Sequence, residues 1–301
     1  MNQVIEKAYA KINLSLDVLR RRPDGYHEVK MIMQTVGIFD TLTIAKSNDK
    51  EICLKVGNAP LPCDRSNLIY KAAEMVINQF DLQQGVEITL EKNIPIAAGM
   101  AGGSSDAAAV FRGMDRLFSL GMSLDDMQKL GVKIGADIPY CIMGGTALSE
   151  GIGEVLSPLP APPEAYLLIA KPDIDVSTKF VYENLHADTL TYHPDVDGMA
   201  KALYAGDLKG ITDRMGNVLE TVTEKAYPVI TEIKVLMKDK GAENALMSGS
   251  GPTVFGIYKE KERAEEACKA LQEKDLARQV FVTEFALPEY TRTMREKEAE
   301  A

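Results

Sequence analysis

The chain has 301 residues, enough for two domains of ordinary size or one large one. Hydrophobic residues at 46% and charged residues at 26% can build a full core, and no run reaches the ~18 apolar residues of a membrane span. The formal charge of −10 disfavours general binding to phosphate backbones, so a phosphate-bearing ligand has to be caught by local geometry.

The opening Met1-Asn2-Gln3-Val4-Ile5-Glu6-Lys7 lacks the basic flank and apolar run of a signal peptide, and a cytoplasmic location is expected. Cys53, Cys63, Cys141 and Cys268 show no C-x-x-C spacing and read as small buried residues in a reducing compartment.

From 10 to 18 the even positions Ala10, Ile12, Leu14, Leu16 and Val18 are apolar and most odd ones polar, which predicts a strand. The cluster 20–25, closing on Asp24-Gly25, is a turn. Strand-like runs follow at 29–36, 42–45, 52–56 and 86–90. Between the last two, Leu68, Ala72, Met75, Val76 and Phe80 recur at helical spacing behind Ser66 as the expected N-cap. A glycine- and serine-rich stretch, 99–105, runs into an alanine-rich helix, and a second helix is expected over 123–134.

Four prolines in 157–163 cannot sit inside an element, and the domain boundary is placed there, giving domains 1–160 and 161–288. The second half is predicted to begin with a strand at 166–170, followed by helical segments between 177 and 240. Two short strands, 245–248 and 253–258, flank Gly249-Ser250-Gly251-Pro252. A charged helix over 259–274 and a strand over 279–286 complete it, and 289–301 reads as a solvated charged tail. Mixed strand order with helices gathered between strands indicates α+β in both halves.

The chemistry concentrates in 95–109. Small residues let successive N–H groups face a ligand, and a helix starting near Ser104 adds its positive end, a ready site for a di- or triphosphate. A glycine-rich turn in which Ser104 or Asp106 merely caps the helix fits the spacing equally well. A Walker loop is excluded, since five residues after Gly99 stands Ser104 with no lysine beyond it. A dinucleotide fingerprint at Gly249-Ser250-Gly251 fails because its sixth position is Val254.

P-x-x-x-G-x-x-G-G-S-S-D-A-A over 95–108 resembles the ATP-binding motif of the galactokinase, homoserine kinase, mevalonate kinase and phosphomevalonate kinase superfamily. Ala10-Lys11-Ile12-Asn13-Leu14 and Met247-Ser248-Gly249-Ser250-Gly251-Pro252-Thr253 match it in order. Arg22-Pro23-Asp24-Gly25-Tyr26-His27-Glu28, Gly135-Ala136-Asp137-Ile138-Pro139, 149–154, Lys171-Pro172 and 176–178 point to one branch of it. The departures are Ala97-Ala98, where the superfamily usually carries more glycine, and Met100 for a usual leucine; an alanine Cβ resists positive φ.

The resemblance implies a two-domain α+β fold with a ribosomal-protein-like N-terminal domain and a ferredoxin-like C-terminal domain. It implies ATP with magnesium, and phosphorylation of a hydroxyl on a cytidine-diphosphate-linked polyol in non-mevalonate isoprenoid precursor synthesis. The alternatives are the same fold acting on homoserine or a mevalonate derivative, or a metabolite-binding relative without turnover. RNA binding is opposed by the net charge.

By the same resemblance Asp137 takes the proton of the substrate hydroxyl, with Lys11 close by. Unaided, Asp137 reads as a turn carboxylate and Lys11 as a solvated strand residue. Pro95, Gly99, Ala101, Gly102, Gly103, Ser104 and Ser105 hold the nucleotide phosphates, and Asn67 flanks the adenine; the residue touching magnesium is unassigned. Tyr26 offers a stacking face and His27 a polar edge to a cytosine. Tyr182 supplies the opposing face, with Phe180 as competitor. Asn13, Gly249 and Ser250 complete the substrate contacts, though a structural hairpin turn explains the last two nearly as well.

Overall fold

The computed structural model describes residues 1–293. It divides into two compact units, each built from separated stretches. The first is Met1–Ala10, Ile38–Ile94 and Ala101–Met143; the second is Lys11–Gly37, Pro95–Met100 and everything described from Gly144 onward. Strands β1 (Gln3–Arg21) and β2 (His27–Lys46) each contribute to both. No helix of the described residues is long and apolar enough to cross a membrane.

In the first unit β3 (Ile52–Val56) pairs in parallel with β4 (Val86–Glu91), and β4 pairs antiparallel with the end of β2, Ile44 opposite Ile88 and Leu42 opposite Leu90. The runs expected at 29–36 and 42–45 belong to this one strand β2. Gly37 and Asp40 break the apolar pattern without ending the strand. The helices are α1 (Leu68–Gln79), α2 (Gly102–Phe118), α3 (Leu124–Gly131) and α4 (Ile138–Met143). The cap of α1 is Asn67, not Ser66: Asn67 Oδ1 accepts from the Ile69 N–H, while the Ser66 hydroxyl donates to Asp64. Helix α2 is buried on nearly every side through Ala107, Ala108, Ala109, Val110 and Phe111, which explains its alanines: larger side chains would not fit. Ser123 begins α3 with a capping box to Asp126.

In the second unit β5 (Thr146–Glu150) pairs antiparallel with β2, Ile32 opposite Leu148, and also with β6 (Val155–Leu159). Pro158 lies inside β6, against the expectation that the proline run stays outside any element. β6 pairs only with β5, so it is an edge strand, where a missing N–H is tolerated. Then come β7 (Tyr166–Lys171), α5 (Thr178–Asn184), α6 (Val196–Ala205), α7 (Leu208–Thr212) and β8 (Gly216–Asn217), the last parallel to β1 at Ser15 and Leu16. The chain closes with α8 (Glu220–Ala226), α9 (Val229–Asp239), β9 (Asn244–Met247), β10 (Val254–Tyr258), α10 (Lys261–Glu273) and β11 (Gln279–Glu284).

A four-stranded antiparallel sheet runs β11-β7-β10-β9. With α9 before its second strand and α10 before its fourth, it has the β-α-β-β-α-β arrangement of ferredoxin-like folds. All five residues of β10 are buried, as a central strand requires.

Two further expectations need amending. Cys53 and Cys63 are exposed and only Cys141 is buried. Of the tail expected over 289–301, residues 294–301 lie outside the described residues; in its described start Glu289, Arg292 and Thr293 are exposed, and Thr291 alone is buried. Thr291 is 1% exposed, and a Cβ on Gly144 would stand 2.5 Å from its hydroxyl.

Candidate active site

In the first unit, α2 starts at Ala101, whose backbone is left-handed (φ 55°) and whose side chain cannot cap. The helix therefore opens with N–H groups that no cap residue satisfies, an arrangement that suits an anion. Two contacts explain the glycines that follow. A Cβ on Gly102 would stand 2.8 Å from Lys92 Nζ, and one on Gly103 3.6 Å from Leu68 at the start of α1. Ser104 is half-buried at this end, whereas the Ser105 hydroxyl turns inward and donates to the Tyr9 carbonyl at 2.6 Å. The turn carrying Asp137 lies alongside: a Cβ on Gly135 would come 4.0 Å from Ser104 Oγ. The Ile138 N–H donates to the Gly135 carbonyl and the Cys141 N–H to that of Asp137, which leaves the Asp137 carboxyl half-buried just before α4. Asn67 spends its side chain on capping α1 and donating to the Pro62 carbonyl.

Beneath the α2 terminus lies a group of which the sequence singled out Asp106 alone. Lys92 donates to Asp40 and, at 3.1 Å, to Asp106. The Asn93 and Ile94 N–H groups also donate to Asp40, at 2.5 and 2.8 Å. Burial, opposed by Lys92 and reinforced by Asp40, pushes the Asp106 carboxyl well above the usual carboxylate range.

In the second unit, Lys11 and Asn13 are both buried, and Lys11 Nζ donates to Asn13 Oδ1 at 2.9 Å. Asn13 Nδ2 in turn points at Met31 Sδ, 3.2 Å away. The Lys11 N–H donates to the Met100 carbonyl, tying β1 to the segment that starts at Pro95. That segment meets the late glycine turn backbone to backbone. Ser248 Oγ donates to the Gly99 carbonyl at 3.0 Å, and a Cβ on Gly99 would stand 2.3 Å from the Ser248 carbonyl. Gly249 is equally confined: its Cβ would lie 3.1 Å from the Gly99 carbonyl and 3.6 Å from Asn13 Oδ1. So Lys11, Asn13, Gly99 and Gly249 come together.

Three side chains hold the turn, of which Asn217 and Thr223 lie outside every motif quoted from the sequence. Asn217 Nδ2 donates to the Met247 and Gly249 carbonyls, both at 2.8 Å; Thr178 Oγ1 hydrogen-bonds Ser250 Oγ at 2.9 Å; Thr223 donates to the Ser250 carbonyl. Nothing in the local sequence around Asn217 signals this.

The aromatic group also lies in the second unit. His27 and Tyr182 rings have centroids 5.1 Å apart and tilted by 37°, so the two rings touch each other. Tyr26 is 59% exposed, its ring free to cover a ligand, and Phe180 is 39% exposed. Burial, then the charge of Arg21, holds the His27 imidazole below its ordinary value, which favours the neutral ring. Lys11 and Asp137 belong to different compact units.

The family described as GHMP kinases N terminal domain matches residues 67–145, and that described as GHMP kinases C terminal matches 199–275. A protein of Lachnoclostridium phytofermentans named 4-diphosphocytidyl-2-C-methyl-D-erythritol kinase is 50% identical over 285 residues, 95% of this chain and 98% of its own. One of the same name from Geobacillus sp. (strain WCH70) is 49% identical over 270 residues, 90% and 93% of the two chains. The chain belongs to the 4-diphosphocytidyl-2-C-methyl-D-erythritol kinase family.

A crystal structure of 4-(cytidine 5'-diphospho)-2C-methyl-D-erythritol kinase superposes with a TM-score of 0.80 at 30% identity, covering 95% of this chain and all of that one. The homoserine kinase of Cytophaga hutchinsonii (TM-score 0.76, 20% identity, 94% and 95% covered) shares the two-domain α+β kinase fold. Within this kinase family membership, the glycine-rich loop and Asp137 fall inside the N-terminal match and the 247–253 turn inside the C-terminal one. The GHMP kinase class makes this a phosphotransferase that uses ATP on an alcohol group.

Proposed function

We propose that this chain transfers the γ-phosphoryl group of ATP to the 2-hydroxyl of 4-diphosphocytidyl-2-C-methyl-D-erythritol, in the non-mevalonate route to isoprenoid precursors. The observation that carries this reading is 50% identity over 95% of the chain to a kinase of that name. Phosphoryl transfer asks mainly for positioning and charge stabilisation. Gly99, Ala101, Gly102, Gly103 and Ser104 present backbone N–H groups to the phosphates, with Pro95 and Ser105 shaping the loop and Asn67 flanking the adenine. Asp137 accepts the proton of the attacking hydroxyl. Lys11 supplies an ammonium to the hydroxyl or the moving phosphoryl group, its direction set by Asn13.

Tyr26 stacks on the cytosine, His27 bonds its polar edge, and Tyr182, in ring contact with His27, supplies the opposing face. Gly249 and Ser250 bring the late turn to the substrate. Among the described residues no group of three His, Cys, Asp or Glu side chains could hold a metal, which suits magnesium arriving on ATP with most of its waters. Magnesium supplies charge neutralisation between the phosphates when bound. The division into domains near residue 160 is supported by family matches on either side of it. A cytoplasmic location fits a small soluble substrate and ATP.

The test is a coupled ADP-release assay with Mg-ATP and the cytidyl substrate, with homoserine and mevalonate as parallel acceptors. Turnover is expected with the cytidyl substrate alone, and Asp137→Ala is expected to lower kcat by ~10²-fold or more. Turnover with another acceptor only would sink the substrate assignment, and near-normal kcat in the variant would remove Asp137 from the mechanism.

A further inference from the structure

The two roots of the loop between β4 and α2 are fastened by the buried cluster of Asp40, Lys92 and Asp106. Their side chains are at most 5% exposed. Asp40 accepts from the Lys92 ammonium and the N–H groups of Asn93 and Ile94 at one root, and its carboxyl group also faces that of Asp106. Asp106, at the other root, receives Lys92 on Oδ2, and its Oδ1 is buried without a hydrogen-bond partner.

One ammonium thus faces two carboxyl groups, and among the described residues no ion pair brings a second cation to this cluster. On β1, Glu6 is taken by Arg112 and Arg116, and the Lys7 ammonium lies over the Phe39 ring. On α1, Glu74 pairs with Arg65. Two carboxylates beside a single buried cation would leave one charge uncompensated, which proteins avoid by keeping a proton.

We propose that Asp106 carries that proton at neutral pH, and that it acts as a positioning residue keeping the first turns of α2 free of a negative charge that would compete with the phosphates of the nucleotide. The role rests on the kinase reading given above. Protonated, Asp106 donates to Asp40, and the cluster is neutral as a whole. Ionised, it places a full negative charge among the first turns of α2, the end that attracts anions, and repels the ligand phosphates. The raised affinity of its carboxyl for a proton accords with this.

Two measurements test the proposal. Difference infrared spectroscopy of the wild type against Asp106→Asn at neutral pH should show the carbonyl band of a protonated carboxylic acid, present in the wild type and missing in the variant. Titration of Mg-ADP from mildly acidic to mildly alkaline pH should show wild-type affinity falling roughly two- to fivefold on the alkaline side, the effect of one charge at a helix terminus. The same fall should be lost in Asp106→Asn. Asp106→Ala serves as the second variant should Asp106→Asn fold poorly, since it also lacks the proton. No acid band, or an alkaline fall that survives in the variants, would overturn the proposal. Folded wild type that binds no Mg-ADP at any pH would instead overturn the kinase reading and with it the positioning role, while the infrared band alone would still decide where the proton sits.

Discussion

Replacing Gly99 by alanine separates two costs that usually arrive together. Gly99 has φ +69°, a left-handed conformation that charges any Cβ about 1–2 kcal/mol. In addition the new methyl would stand 2.3 Å from the Ser248 carbonyl and about 3 Å from Gly251, with backbone atoms that cannot swing aside. Overpacking of this kind costs a further ~1–3 kcal/mol, so the total is about 2–5 kcal/mol. Gly25 provides the reference: its φ is +90° and nothing lies within 4 Å of its Cβ position, so Gly25→Ala should cost only the backbone part. Urea unfolding of both variants beside the wild type gives the two losses. Gly99→Ala should also raise KM for ATP, because relieving the clash means moving the loop from the Ser248 turn. Equal losses in the two variants, within ~0.5 kcal/mol, would refute the claim that the loop and the late turn are packed backbone on backbone.

Three further outcomes are expected. Ala97 sits at φ +52°, so Ala97→Gly should stabilise the protein by about 0.5–1 kcal/mol after glycine's entropy is subtracted, read as a higher urea midpoint. His27 should titrate below the ordinary ~6.5 by NMR, and Arg21→Gln should move it part of the way back, with burial accounting for the rest. Asp106 binds its proton more tightly folded than unfolded, so its own contribution to wild-type stability falls as pH rises from the unfolded value of ~3.9 through the folded one. The stability gap in favour of Asp106→Asn should therefore widen with pH in thermal melts, and a gap constant with pH would contradict the shift.

Most strands and the two glycine-rich turns could be read from sequence because each is a local pattern: alternation in β1, small residues at 99–105, proline and glycine at 249–252. Where the reading failed, a distant contact was responsible. β2 was split because Gly37 and Asp40 interrupt its apolar run. Gly37 is small because a Cβ there would lie 2.6 Å from Thr283 Oγ1, and Asp40 is acidic because Lys92 and two backbone N–H groups need an acceptor. A carboxylate in a buried strand position was the one local hint of the cluster, and its partners 52 and 66 residues on gave no other. Ser66 and Asn67 are both good caps, and only the Ser66 bond to Asp64 decides between them. Of the site, the residue types were legible through their motifs. The supports Asn217 and Thr223 were not, since a side chain that bonds a remote carbonyl leaves no periodic trace.

The way the units interleave along the chain bears on how the protein is made. A ribosome releases every residue of the first unit by Met143, but the second unit then has only 11–37 and 95–100. The β1 edge at Ser15 and Leu16 is covered by β8, which lies some 200 residues later. At ~5–20 residues per second, the wait from Met143 to Asn217 is on the order of ten seconds. During it, a strand edge stays open to any passing chain. Asp17, a charge set inward on that same strand until His193 arrives to meet it, makes the edge a poor template for strangers.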